Sequence, residues 1–147
     1  KLSVKMGQFH SLPAIWYLLT PPLTMVFVKA TEDSEKGFVR TAESDKLMEE
    51  MGKFNDELIK ARILKAGNCD GLKPSSYAKR IAFNGKDRTV IDGPFANPRE
   101  LVAGYWVWEV KDMNEAIDWV KRCPNPMFGP SEIEIRPIYE ICDFEEQ

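Results

Sequence analysis

The sequence predicts an α+β fold of the ferredoxin-like kind with an inserted β-hairpin, on three observations. Its runs succeed one another as strand, helix, strand, hairpin, strand, helix, strand, the order of a split βαβ layer. The two helical runs repeat apolar residues at helical spacing, whereas the strand runs are rich in β-branched and aromatic residues. The chain has 147 residues, 44% apolar and 29% charged, which suits one globular domain with a proper core.

Each element has a local reason. LTMVFVKA (residues 23–30) is β-rich and stops in the polar loop TEDSEKGF. In the following helix Leu47, Met51, Phe54 and Leu58 step by helical spacing along one face. Thr41 or Ser44 caps its start, Glu43 and Asp45 suit its N-terminal dipole, and it ends near Ala61. A short strand is expected around Ile63 to Ala66, with GNCDGLKPSS as loop. KRIAFNGKDRTVID reads as a hairpin turning at Asn84-Gly85, and NPREL as a single helical turn opened by Asn97 and Pro98. Ala103 to Val110 is a long strand.

In the second helix Asp112 and Glu115 imitate a capping box. Met113, Ala116, Ile117 and Val120 form its apolar face, and CPNP ends it. The last strand, EIEIRPIYEI, alternates through Ile133, Ile135, Pro137, Tyr139 and Ile141. Pro137 cannot donate to a ladder, which places it at an edge or bulge.

Two helices cover one face of such a sheet. The strand from Ala103 to Val110 nevertheless carries Tyr105 and Val107 on one face and Trp106 and Trp108 on the other. A sheet apolar on both faces needs a second cover, and another copy of the chain supplies one. The expectation is a homodimer through the sheet face, with Trp106, Trp108 and Val26 or Val28 at the interface.

Net charge is −3 with pI near 5.3 and no dense basic run, which argues against nucleic acid and anionic membrane as partners. Cys69, Cys123 and Cys142 form no CxxC pair and no zinc spacing; they read as reduced thiols of a cytoplasmic protein. His10 is the single histidine, so no metal site and no Ser-His or Cys-His catalysis is expected. Phosphate-binding glycine motifs are absent, and no cofactor is expected. Residues 1–24 are read as an extension, disordered or docked, ahead of a domain over 25–147. Its apolar run, Ala14 to Leu19, is too short to cross a bilayer.

MVFVKATEDSEKG, GLKPSS, RTVIDGPF, the stretch from Glu100 to Pro126 and EIEIRPIYE together resemble the YCII-related family, and more closely its branch named for the DGPF motif. The likeness runs from about Met25 to Phe144. It implies a dimeric α+β barrel. It also implies an enzymatic role for members in which a histidine and an aspartate meet in a pocket, and a link to sigma factors for others. Where the branch has GLHPSS, this chain has Lys73 in place of the histidine. A lysine ammonium does not shuttle protons as imidazole does, unless burial lowers its pKa.

Asp92 reads as a pocket carboxylate or as a turn aspartate accepting backbone N–H groups before Gly93 and Pro94. Lys73 is its candidate partner or a solvated loop lysine. Ser75 and Ser76 read as donors to a ligand or as turn serines. Phe95, Tyr105, Trp106 and Trp108 read as lining a ligand cavity with Gly93, or as packing residues. Cys69 reads as a bystander thiol. Two functions remain: a small enzyme with Asp92 as proton acceptor on a small polar molecule, or a module that binds a small ligand or docks on a regulatory partner.

Overall fold

The computed structural model describes residues 21–144 of the chain. Six strands and two helices follow in the predicted order: β1 (Leu23–Lys29), α1 (Ala42–Lys60), β2 (Leu64–Gly71), β3 (Lys79–Asn84), β4 (Asp87–Asp92), β5 (Val102–Glu109), α2 (Met113–Arg122) and β6 (Ile133–Pro137). β2, β5, β1 and β6 form one sheet in that order, antiparallel at every joint, while β3 and β4 form a separate hairpin. This is an α+β architecture compatible with the ferredoxin-like type. Of the expected extension over residues 1–24, residues 1–20 lie outside the described residues, while Leu23 and Thr24 belong to β1.

The caps form as their residues dictate. Thr41 accepts the Ser44 N–H at 3.1 Å, and Ser44 Oγ accepts the Thr41 N–H at 2.8 Å, closing the start of α1. At α2, Asp112 accepts the Glu115 N–H at 2.8 Å, while Glu115 accepts the Lys111 N–H at 2.7 Å. Asn97 accepts the Arg99 N–H and opens the single turn over 98–100.

Alternation along the sheet determines what is buried. Thr24, Val26 and Val28 of β1 and Gly104, Trp106 and Trp108 of β5 face the helices, with Val26 opposite both Trp106 and Ile135. Phe54 of α1 lies at their centre, its ring 6.5 Å from Trp106, 6.4 Å from Trp108 and 6.4 Å from Trp119 of α2. Leu58, Ile63, Leu64, Val110 and Ala116 complete the buried cluster. Trp106 Nε1 donates to Asn55 Oδ1 at 2.8 Å. The buried Trp108 Nε1 has no such acceptor among the described residues.

Four expectations need correction. Trp106 and Trp108 do not face outward for a partner: α1 and α2 cover them, and the opposite face presents Met25, Phe27, Tyr105 and Val107, all half-buried. β2 does not end at Ala66 but continues through the glycines to Gly71. Between the Leu64–Trp108 and Cys69–Trp106 pairs β2 advances five residues while β5 advances two, a bulge with Gly67 at φ +85°. β6 stops at Pro137, and Tyr139 and Ile141 are exposed; beyond it only the Ile138 N–H still reaches β1, at Leu23 O. Met113 lies off the buried face of α2, because the cap geometry places it in the exposed first turn.

Phe54→Ala should cost about 3–5 kcal/mol, since three tryptophan rings lose their common neighbour. Urea unfolding followed by tryptophan fluorescence measures this; a loss below about 1 kcal/mol would mean that the ring cluster is not the core.

Candidate functional site

Three stretches far apart in sequence meet at one serine. Gly71 ends β2 beside Gly104, and Pro74 then leads into the 3-10 turn over 75–77, which buries Ser75 to 5% exposure. The Ser75 N–H donates to the Glu35 carboxylate, at 3.0 Å to Oε2, and the Ser75 hydroxyl donates to the same oxygen. Ser75 Oγ in turn accepts the Phe95 N–H at 3.0 Å. Glu35 is carried by a turn that Thr31 and Ser34 close on each other, with reciprocal bonds of 2.9 and 3.1 Å.

The Asp92-Gly93-Pro94-Phe95 stretch is fitted to this serine. The Gly93 N–H donates to Ala78 O at 3.0 Å, and a Cβ on Gly93 would stand 1.8 Å from Ser75 O. Both colliding partners are backbone, so only glycine fits. Gly93–Pro94 is cis. The Phe95 ring lies under the Arg80 guanidinium, 3.8 Å from its centroid.

Beside this junction is a recess of about 360 Å³. Leu72, Phe95, Leu101 and Val102 give it an apolar wall, Glu35 and Ser75 a polar one, and Lys73 and Tyr77 also line it. Lys73 Nζ sits 5.2 Å from the centre of the Tyr77 ring. The lining is mostly apolar, with Lys73 and Glu35 as its charged groups.

The structure thus brings together Lys73, Ser75, Gly93 and Phe95, and leaves the other candidates elsewhere. Asp92 ends β4 with its side chain 72% exposed; it pairs with Lys79 across the hairpin at 2.5 Å and is not part of the recess wall. Ser76 is exposed beside the recess without lining it. Tyr105 lies on the open sheet face, its hydroxyl donating to Asp70 at 3.4 Å, and Trp106 and Trp108 are in the core. Glu35 was legible only as one acid in a polar loop, because its partner is 40 residues away.

The polar groups of the junction are engaged with one another. Ser75 has its hydroxyl proton on Glu35 and a lone pair on Phe95, and no histidine occurs among the described residues. Neither do those residues gather three His, Cys, Asp or Glu side chains into a metal-binding group. Burial, then the neighbouring Asp70 charge, push the Cys69 thiol up, and burial pushes Cys123 up to about 11, which favours the thiol over the thiolate near neutral pH.

Ser75→Ala should cost about 1–3 kcal/mol, because the Phe95 N–H loses its acceptor and Glu35 keeps only the backbone N–H of residue 75. Gly93→Ala should cost more, since its overlap is with backbone. Urea midpoints of the two variants check this order, and a neutral Gly93→Ala would contradict the packing described.

The model of the YCII-related domain matches residues 23–142. An uncharacterised protein of Rhizobium meliloti (strain 1021) is 24% identical over 96 residues, which span 65% of this chain and 76% of that protein. With the family model spanning all six strands and both helices, the chain belongs to the YCII-related family.

Proposed function

We propose that this YCII-related protein binds a small molecule with an apolar body and an anionic end in the recess beside Ser75. The observation that carries the proposal is the Glu35–Ser75–Phe95 junction, which fixes the recess wall before any ligand arrives. Leu72, Phe95, Leu101 and Val102 receive the apolar body, and the Lys73 ammonium receives the anion. The sequence resemblance leads one to expect a histidine at position 73. A lysine there keeps a charged donor and gives up proton shuttling, which favours binding over acid–base turnover.

A second reading, a small enzyme with Asp92 as proton acceptor, is supported by the open access to that carboxylate. A thermal-shift screen of small aliphatic and aromatic carboxylates separates the two. A ligand at a hundred times its dissociation constant stabilises by about 2.7 kcal/mol. Binding lost in Lys73→Ala and kept in Asp92→Asn supports the recess; turnover abolished in Asp92→Asn supports the enzyme and overturns the binding proposal.

The same proposal includes a homodimer, now through the face opposite the helices. Met25 and Phe27 of β1 and Tyr105 and Val107 of β5 supply its apolar centre. Each such side chain contributes about 1.5–3 kcal/mol when fully buried, and two copies contribute the set twice. The four are already half-buried, so the doubled set gains part of that, an amount comparable with the association entropy, which costs about 4–15 kcal/mol. Unpaired thiols at Cys69, Cys123 and Cys142 suit a reducing, cytoplasmic setting. Sedimentation at micromolar concentration should report twice the 16.8 kDa chain mass, and Val107→Asp should give monomers. A wild-type monomer would overturn the dimer while leaving the recess proposal intact.

A further inference from the structure

We propose that a second recess, walled by neighbouring residues of the same two loops, binds a small zwitterion carrying both an ammonium and a carboxylate, as free α-amino acids do. It also measures about 360 Å³ and is formed where β1 runs out, against the turn over 97–99 and the approach to β6. Its charged lining is mixed: Lys29 and Arg99 are cationic, Glu32 and Glu132 anionic. Among the described residues, none of these four forms an ion pair within 4.0 Å. Two charges of each sign thus line one space with no ion pair among them, three of the four on exposed side chains.

That arrangement selects by sign. A simple anion drawn to Lys29 and Arg99 also meets Glu32 and Glu132, and a simple cation meets the reverse. A molecule with both signs satisfies both pairs, its carboxylate on the Arg99 fork and its ammonium on the glutamates. The neutral polar groups are already engaged. Thr31 Oγ1 accepts the Ser34 N–H at 3.1 Å, and Ser131 Oγ donates to Asn125 Oδ1 at 2.6 Å. Recognition therefore falls to the charged side chains.

The walls are set in advance. The Lys29 N–H donates to Glu132 O and the Ala30 N–H to Leu101 O, both at 3.0 Å, which ties β1 to the two other sides. Asn97 Oδ1 accepts the Arg99 N–H at 3.1 Å, fixing the turn that carries the guanidinium, and Pro98 and Pro130 stiffen the rim. The backbone needs little further ordering, and the ligand's ordering cost falls on the charged side chains.

The test is a set of amide chemical-shift titrations on the full isotope-labelled chain with each standard L-α-amino acid at about 10 mM, enough to populate a site of millimolar affinity. At least one should move the resonances of residues 29–32, 99 and 131–132 while leaving Lys73 and Phe95, which report the first recess, in place. N-acetylation or C-amidation of that amino acid should each weaken binding about tenfold, and so should Arg99→Ala. Arg99 is exposed, and an unchanged melting temperature verifies that the variant folds. Three results would overturn the proposal: no amino acid shifts these resonances, the N-acetylated form binds equally well, or the shifts map to Lys73 and Phe95.

Discussion

Ser75 is the joint on which the loops of this protein depend. One side chain and one backbone N–H hold Glu35 from the first loop, and the same hydroxyl holds the Phe95 N–H from the turn after the hairpin. The carbonyl of Ser75 occupies the space that a side chain on residue 93 would need. A buried serine with every polar group engaged is worth more than its individual bonds, because removing its hydroxyl orphans the Phe95 amide and leaves Glu35 on one backbone N–H. The sheet gives the domain its stability; the joint gives its loops their positions.

The sheet itself is governed by alternation. β1 and β5 each put every second residue under α1 and α2, and Phe54 brings the tryptophans of β5 and α2 around one ring. Arg122 of α2 pairs with Glu57 of α1 at 2.6 Å and stacks on Trp119, so the helices are joined on their solvent side as well. The remaining face carries a mixture of apolar and charged side chains. Its Met25, Phe27, Tyr105 and Val107 lie between charged neighbours such as Glu134, opposite Phe27 on β6.

Elements were legible in the sequence where their signals are local. Thr41, Asp112 and Asn97 capped the turns their types announce, and the four-residue apolar steps of α1 located Phe54 and Leu58 in the core. The hairpin formed around Gly85, though its central pair is Gly85 and Lys86, since Asn84 still pairs with Asp87. What period-two alternation cannot reveal is which face receives the helices. Trp106 and Trp108 looked suited to a partner, yet Phe54 and Trp119 reach them first.

The candidate site was half legible. Glycine and proline after Asp92 marked a special turn, and Lys73, Ser75 and Phe95 do converge with Gly93. The reason for the glycine lay in a carbonyl 18 positions away, and Glu35 lay further still, so no local spacing announced either. Asp92, the most conspicuous charge in the motif, instead closes the hairpin with Lys79.

Amide hydrogen exchange in Glu35→Ala, against the wild type, tests the central claim most directly. If Glu35 holds Ser75 and Ser75 holds the turn after the hairpin, exchange at Gly93 and Phe95 should rise by about tenfold or more, while the amides of β5 keep their protection. Unchanged exchange at Phe95 would contradict the account, since the turn would then be held by something other than the joint at Ser75.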